Sequence, residues 1–317
     1  MGRSISVRVQ AMRLEARGIV SVELTAADGA TLPPFEAGAH IDLHLANGVA
    51  RSYSLLNSPQ ERSRYVVGVA KDRNSRGGSR YVHEQLRVGA VLDVSLPRNN
   101  FPLDASAPHT VLIAGGIGIT PISCMYEHLR SLGKSVELLY CARSREDAAF
   151  GDRLLAQAGV ESHFDQERGG APDLRHYLAG KGADADVHFY CCGPAPMLAA
   201  FEQACEELGL RNVHIERFAA APDAAPVQAG NYIAELARSK KTVPVPAGKS
   251  LLDALLDAGM DVQHSCREGI CGACETPVLE GVPLHRDSVL SKGERAANRS
   301  MMICVSGCQG DRLVLDL

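Results

Sequence analysis

The chain has 317 residues, enough for two or three domains. Its apolar share of 45% is ordinary for a globular protein. A net charge of −4, the lack of any basic tract and the scarcity of aromatics (no tryptophan at all) argue against a nucleic-acid partner. The opening MGRSISVRVQ has no apolar leader core, and no run is long enough to span a membrane. A cytoplasmic setting is therefore expected, in which the ten cysteines stay reduced.

The first hundred residues alternate short β runs with turns. Residues 6–12, 19–25, 40–45, 65–70 and 91–96 read as strands, punctuated by Gly38, Asn47-Gly48 and Gly89. This spacing predicts an antiparallel barrel or sandwich, with one short helix over 80–87. Two segments here suggest chemistry. Arg51-Ser52-Tyr53-Ser54 offers a guanidinium for a phosphate, a phenol to stack on a flat ring and a hydroxyl for a ring edge. Arg76-Gly77-Gly78-Ser79, just before the helix, offers backbone N–H groups to a phosphate. Each alone also reads as an ordinary strand or turn. His40 and His44 sit at i and i+4 on one strand face and are read as structural or exposed.

After Pro108 the pattern changes. Strands over 110–114, 136–141, 187–191 and 212–218 alternate with helices over 121–132, 150–158 and 196–208. Such alternation predicts a parallel sheet with helices on both faces. The turn Gly115-Gly116-Ile117-Gly118-Ile119-Thr120-Pro121 follows the first of these strands. A helix start placed there can meet a dinucleotide's pyrophosphate, although Pro121 stands where a G-x-G-x-x-G fingerprint has its third glycine. Ala142-Arg143-Ser144-Arg145 follows the second strand, where an arginine can grip a 2′-phosphate or stack on adenine. Cys192-Gly193-Pro194 closes a later strand, with Pro196 and Met197 beyond it. Cys192 reads as a contact residue, since no activating histidine is near in sequence.

Residues 219–229, rich in Ala and Pro, bear one charge and no apolar periodicity, and read as a tether. Beyond it, 231–237 and 241–245 read as a hairpin and 250–258 as a helix with Leu251, Leu252, Leu255 and Leu256 on one face. Then comes Cys266-Arg-Glu-Gly-Ile-Cys271-Gly-Ala-Cys274, with Cys304 later. C-x4-C-x2-C with a distant fourth cysteine is the plant-type spacing of a [2Fe–2S] cluster. Zinc sites favour two short pairs. Cys304 is preferred over Cys308 because it follows the apolar Met-Met-Ile run, as a residue at a strand end does; the role of Cys308 stays open. His264 invites a Rieske assignment, but such centres need two histidines and four thiols are already present.

The ordered set R-x-Y-S, G-G-x-S, G-G-I-G-I-T-P, C-G-P and C-x4-C-G-x-C resembles the phthalate dioxygenase reductase family, the class IA reductases of Rieske oxygenase systems, which include vanillate demethylase reductases. The likeness spans the whole chain. It implies an antiparallel flavin-binding β-barrel over 1–104, a ferredoxin-reductase-like NAD-binding α/β domain over 105–220, a linker over 221–229 and a C-terminal β-grasp ferredoxin domain over 230–317. It implies FMN rather than FAD, held by Arg51, Ser52, Tyr53 and Ser54, by Arg76, Gly77, Gly78 and Ser79 around its phosphate, and by Phe218 beside the ring. NADH would meet Gly115, Gly116, Gly118, Thr120 and Pro121, together with Cys192, Gly193 and Pro194. Cys266, Cys271, Cys274 and Cys304 would hold the [2Fe–2S] cluster. The implied activity is hydride transfer from NADH to FMN, then single electrons through the cluster to a separate terminal Rieske oxygenase acting on an aromatic acid or aryl ether, with no acid–base residue required. A quaternary-amine oxygenase of the carnitine type, or no dedicated oxygenase at all, are the alternatives. A self-sufficient hydroxylase is disfavoured because every segment is already assigned. The chain is expected to act as a monomer.

Overall fold

The computed structural model describes residues 4–73, 75–182, 186–219 and 230–317, and the chain divides after Phe218 into two units. The expected linker, 221–229, lies outside the described residues.

The first unit begins with six antiparallel strands: β1 (Ser4–Ala16), β2 (Ile19–Ala26), β3 (His40–His44), β4 (Ala50–Ser54), β5 (Tyr65–Ala70) and β6 (Val91–Ser95). They lie in the order β4-β3-β6-β1-β2-β5. Alternation drives them. Val7 and Val9 of β1 are fully buried while Arg8 and Gln10 face out, as a strand with one wet face requires. Helix α1 (Gly78–Glu84) starts two residues before the expected 80–87, because Gly77 takes φ 99 and caps it.

Five parallel strands follow. They are β7 (His109–Gly115), β8 (Ser135–Ala142), β9 (Val160–Phe164), β10 (Val187–Cys192) and β11 (Asn212–Glu216), in the order β11-β10-β7-β8-β9. Between them run α2 (Ile119–Ser131), α3 (Gly151–Leu155), α4 (Asp165–Arg168), α5 (Leu174–Leu178) and α6 (Ala195–Leu208). Leu112 and Ala114 of β7 pack with α2 and the barrel; Val111 and Ile113 pack with α5 and α6. Both faces are thus covered, which is why β7 reads as an unbroken apolar run. Strand order reverses between β7 and β10, so the ligand crevice of such a sheet opens at their carboxyl ends.

The structure differs from expectation here in three places. The helix expected over 150–158 is only α3, because Phe150 sits at φ 59 before it and Gly159 at φ 78 after it. β9, whose sequence VESHF lacks an apolar pattern, was not expected at all. The final strand ends at Glu216, two residues before its expected end at 218.

The second unit holds β12 (Tyr232–Leu236), β13 (Lys241–Val245), α7 (Leu251–Asp257), β14 (Glu275–Glu280), β15 (Pro283–Leu284), α8 (Lys292–Ala297), β16 (Ser300–Met302), β17 (Gly307–Cys308) and β18 (Arg312–Leu315). Its main sheet runs β13-β12-β18-β14-β16, with β12 and β18 parallel. Ser250 caps α7 by accepting from the Asp253 N–H, and Leu251, Leu252 and Leu255 enter the core against Ile303 and Leu313. Among the described residues no helix is long and apolar enough to cross a membrane.

Candidate electron-transfer sites

Register brings the first group of residues together. β4 pairs with β3 so that Tyr53 opposes Ile41 and Ser52 opposes Asp42. The Ser52 hydroxyl donates to Asp42 Oδ1 at 2.5 Å, and Arg98 donates to Asp42 Oδ2 at 2.6 Å. Burial raises the Asp42 pKa, but Arg98 and the two hydrogen bonds outweigh it and hold the carboxyl below its usual range. Ser52 is therefore committed to the barrel. Arg51 lies over the start of α1: a Cβ on Gly78 would stand 2.5 Å from Arg51 Cγ. The R-x-Y-S and G-G-x-S segments thus form one surface, and a side chain at position 78 would displace Arg51. Ser79 Oγ donates to Ser75 Oγ (3.0 Å) and accepts from the Asp72 N–H (3.2 Å), while Arg76 is exposed nearby. Tyr53 is half-buried, and burial pushes its phenol up to about 12 against the opposing charge of Arg51.

At the carboxyl ends of β7, β10 and β11 the backbones close on one another. Ala114 pairs with Cys192 and Cys192 with Glu216. A Cβ on Gly118 would lie 2.1 Å from the Cys192 carbonyl oxygen, and one on Gly115 would lie 2.4 Å from Met197 Sδ and 2.7 Å from Pro194 Cδ. These two glycines let the two turns touch. Gly116 alone has positive φ (54°) and open space where a Cβ would go. Thr120 faces the barrel: a Cβ on Gly68 would stand 2.6 Å from its methyl, and its Oγ1 donates to the Ile117 carbonyl at 3.0 Å. Pro121 is buried in the first turn of α2. Burial drives the Cys192 thiol far above its usual range, with Glu216 and Cys191 adding to it, so it stays protonated and makes a poor nucleophile.

Glu216 was not anticipated from the sequence. Its residue as a whole is partly exposed, yet Oε2 is sealed from solvent with no hydrogen-bond partner among the described residues. Burial raises its pKa to about 8, partly offset by a hydrogen bond from Ser54. The one available signal was a lone acid ending the strand, two residues before Phe218. Phe218 itself is 38% exposed.

Arg145 is not available to a nucleotide phosphate as the structure stands: it grips Glu167 with two bonds, at 2.7 and 3.1 Å, and stacks on Phe164. Arg143 instead lines a cavity of about 490 Å³ with Arg17, Lys71, Arg73 and Arg80.

In the second unit Cys266, Cys271, Cys274 and Cys304 are all buried. Their sulfurs form two pairs. Cys274 and Cys304 stand 3.1 Å apart, and Cys271 is hydrogen-bonded to Cys266. That bond, then burial, holds the Cys271 thiol far above its usual range, and the bond to Cys274 does the same for Cys304. Arg267, Gly269 and Gly272 take positive φ, and the loop turns N–H groups inward. The Glu268 N–H meets Cys266 Sγ at 3.3 Å, the Gly269 N–H meets the Cys304 sulfur, and the Ala273 N–H meets the Cys271 sulfur. Ser265 Oγ, beside Cys266, is buried without a partner among the described residues. Among those residues no three His, Cys, Asp or Glu side chains gather tightly enough for a single metal ion. Two thiol pairs ringed by N–H donors fit a two-iron centre, with two thiolates per iron and sulfide to accept the spare donors, better than one tetrahedral zinc.

Cys308 does not join them. Its sulfur donates to the Arg312 carbonyl (3.4 Å) and accepts from the Gly310 N–H (3.3 Å), within the core of this unit. His264 is exposed, with Nδ1 on the Val262 carbonyl at 3.0 Å. His40 is buried beside Arg98, and His44 is exposed.

Residues 234–309 match the 2Fe-2S iron-sulfur cluster binding domain family. Phenoxybenzoate dioxygenase subunit beta of Ectopseudomonas oleovorans is 50% identical over 313 residues, covering 99% of this chain and 97% of that protein. The solved structure of phthalate dioxygenase reductase, described as modular for electron transfer from pyridine nucleotides to [2Fe–2S], superposes with a TM-score of 0.73 at 38% identity, covering 99% of this chain and 98% of that one. An intact type IV self-sufficient cytochrome P450 monooxygenase gives a TM-score of 0.90 at 40% identity, but this chain spans only 41% of that longer protein.

Proposed function

Because the chain belongs to the phthalate dioxygenase reductase family, flavin and iron–sulfur oxidoreductases that use FMN and NADH, we propose that it is the reductase component of a two-component Rieske oxygenase acting on an aromatic acid or aryl ether. The observation that carries the reading is the pair of buried thiol pairs, Cys266 with Cys271 and Cys274 with Cys304, in a chain that also holds the crevice at β7 and β10. When bound, FMN turns a hydride donor into a source of single electrons and the [2Fe–2S] cluster hands them on.

The protein's part is to bind, orient and seal. Arg51, Arg76 and the backbone of Gly77, Gly78 and Ser79 hold the flavin phosphate, and Tyr53 stacks on the ring system. Ser52 shapes the strand through Asp42. Ser54 presents its hydroxyl at the ring edge with Glu216 behind it. Gly116, with its open face, admits the pyrophosphate; Gly115, Gly118 and Pro121 shape the turn that offers it. Cys192, Gly193 and Pro194 line the nicotinamide side, Thr120 locks α2 to the barrel, and Phe218 covers the ring. The proposed domains are 1–104, 105–220 and 230–317, joined by 221–229. The chain works as a monomer, and the six free thiols outside the proposed ligand set suit the cytoplasm.

Reconstitution with a panel of purified terminal oxygenases, following NADH consumption and product together, tests this. Coupled turnover with an aromatic-acid or aryl-ether oxygenase is expected; coupling only with a quaternary-amine oxygenase overturns the substrate class, and coupling with none overturns the dedicated partner. The likeness to the reductase-like part of a P450 favours one second reading, a haem monooxygenase acceptor, and a P450 in the same panel decides it.

A further inference from the structure

A buried ion cluster backs onto the iron–sulfur loop. The Asp287 side chain has no exposure, and its Oδ2 accepts from the N–H groups of Val289 (3.1 Å) and Leu290 (2.8 Å). Arg295 reaches in from α8, donates to the Asp287 carbonyl and holds Nη2 3.8 Å from Oδ2. His285 Nδ1 stands 3.8 Å from Oδ1, while its Nε2 is shared with Asn298 at 3.2 Å. Asp287 Oδ1, His285 Nδ1 and Arg295 Nε are all buried with no hydrogen-bond partner among the described residues. The charges of this cluster are thus only partly quenched, in a setting where screening is weak.

The cluster touches the loop at Gly269. The Ser288 N–H donates to the Gly269 carbonyl at 2.8 Å. A Cβ on Gly269 would stand 3.0 Å from Asp287 Cα and 3.3 Å from its Cβ. Gly269 is also the residue whose N–H meets the Cys304 sulfur. Asp287 therefore sits directly behind one of the donors that face the ligand set.

We propose that Asp287 and Arg295 are positioning residues that set the reduction potential of the iron–sulfur centre from behind Gly269, the carboxylate opposing an added electron and the guanidinium favouring it. Hydrogen bonds to the sulfurs and nearby net charge are what tune such a centre. The proposal rests on Cys266, Cys271, Cys274 and Cys304 being the ligands.

The test is a spectroelectrochemical titration of the full-length holoprotein, with iron content and the EPR signal of the reduced centre measured on the same samples. Asp287→Asn, which keeps an acceptor for the Leu290 N–H, is expected to raise the potential. Arg295→Gln is expected to lower it, and Arg295→Lys to restore the parent value. A merely structural role would move both charge-removing variants the same way or cost them iron. Should Asp287→Asn lose its iron, the Arg295 pair decides alone: a potential equal in Gln and Lys variants overturns the proposal. Unmoved potentials at about two irons per chain overturn it while leaving the ligand reading intact. Fewer irons than that in the unsubstituted protein overturn the ligand reading and this proposal with it.

Discussion

Ser54, at the end of a barrel strand, and Glu216, at the end of the last strand of the nucleotide-binding sheet, are joined by a hydrogen bond. The bond ties together the two halves of the first unit at the edge where both proposed ligands meet. It leaves the second carboxyl oxygen of Glu216 sealed and unpartnered.

That carboxyl predicts a pH dependence. Its pKa is raised in the folded chain, from 4.5 to about 8. Between those values the folded state binds more protons than the unfolded one, so its share of stability is full below about pH 4.5 and lost as pH rises through about 8. The upper bound is about 5 kcal/mol. Denaturant titrations at pH 5 and pH 9 should show a smaller loss at high pH in Glu216→Gln than in the parent. Reduction of the flavin by NADH, followed by stopped flow, should slow above about pH 8 in the parent and lose that inflection in Glu216→Gln. An identical inflection in both would assign it to another group.

The glycines of the dinucleotide turn should part company on substitution. Gly118 has ordinary helical φ, so Gly118→Ala is opposed by sterics alone, against the Cys192 carbonyl. Backbone has to move, and a loss of about 3 kcal/mol with weakened NADH binding is expected. Gly116→Ala meets no atom and bears only the left-handed penalty of about 1–2 kcal/mol. Thermal unfolding and NADH titration of the two variants check the order.

The two late cysteines should behave oppositely. Cys304→Ser is expected to abolish a stable iron–sulfur centre. Cys308→Ser, whose hydroxyl can still bond the Arg312 carbonyl, should keep about two irons per chain and lose no more than about 1–2 kcal/mol of stability. Iron analysis and visible absorption distinguish them, and iron loss in Cys308→Ser would contradict the assignment.

For coenzyme choice, NADH is expected to be preferred, since Arg145 is already held by Glu167. Glu167→Ala would free it, and the kcat/KM for NADPH should rise several-fold while that for NADH changes little. A parent enzyme with a large preference for NADPH would reverse this.

Much of this fold was legible because its signals are local. The apolar run of β7, the helix start at Pro121 and the cysteine spacing each carry their meaning within a dozen residues. The part that was not legible depends on distant partners. Phe150 gives no hint of a left-handed backbone, so the helix after it read too long, and polar β9 is a strand only because β8 lies beside it. Glu216 and Asp287 look like ordinary surface acids in sequence; what sets them apart is that Ser54 comes to Glu216 from far along the chain and that Arg295 folds back onto Asp287 from the helix that follows it. Ser52 and Thr120 were legible as part of their motifs, but not as residues whose oxygens are already committed to Asp42 and Ile117.

The contact between Gly118 and the Cys192 carbonyl has a consequence for how this enzyme can be altered. Two crossover turns that meet backbone to backbone at this point behave as a single casting, and neither can be remodelled while the other stays put. Coenzyme preference is therefore best engineered at the rim, around Arg143 and Arg145, where side chains end in open space or on one another. The inner wall is left as a fixed jig on which both proposed sites are built.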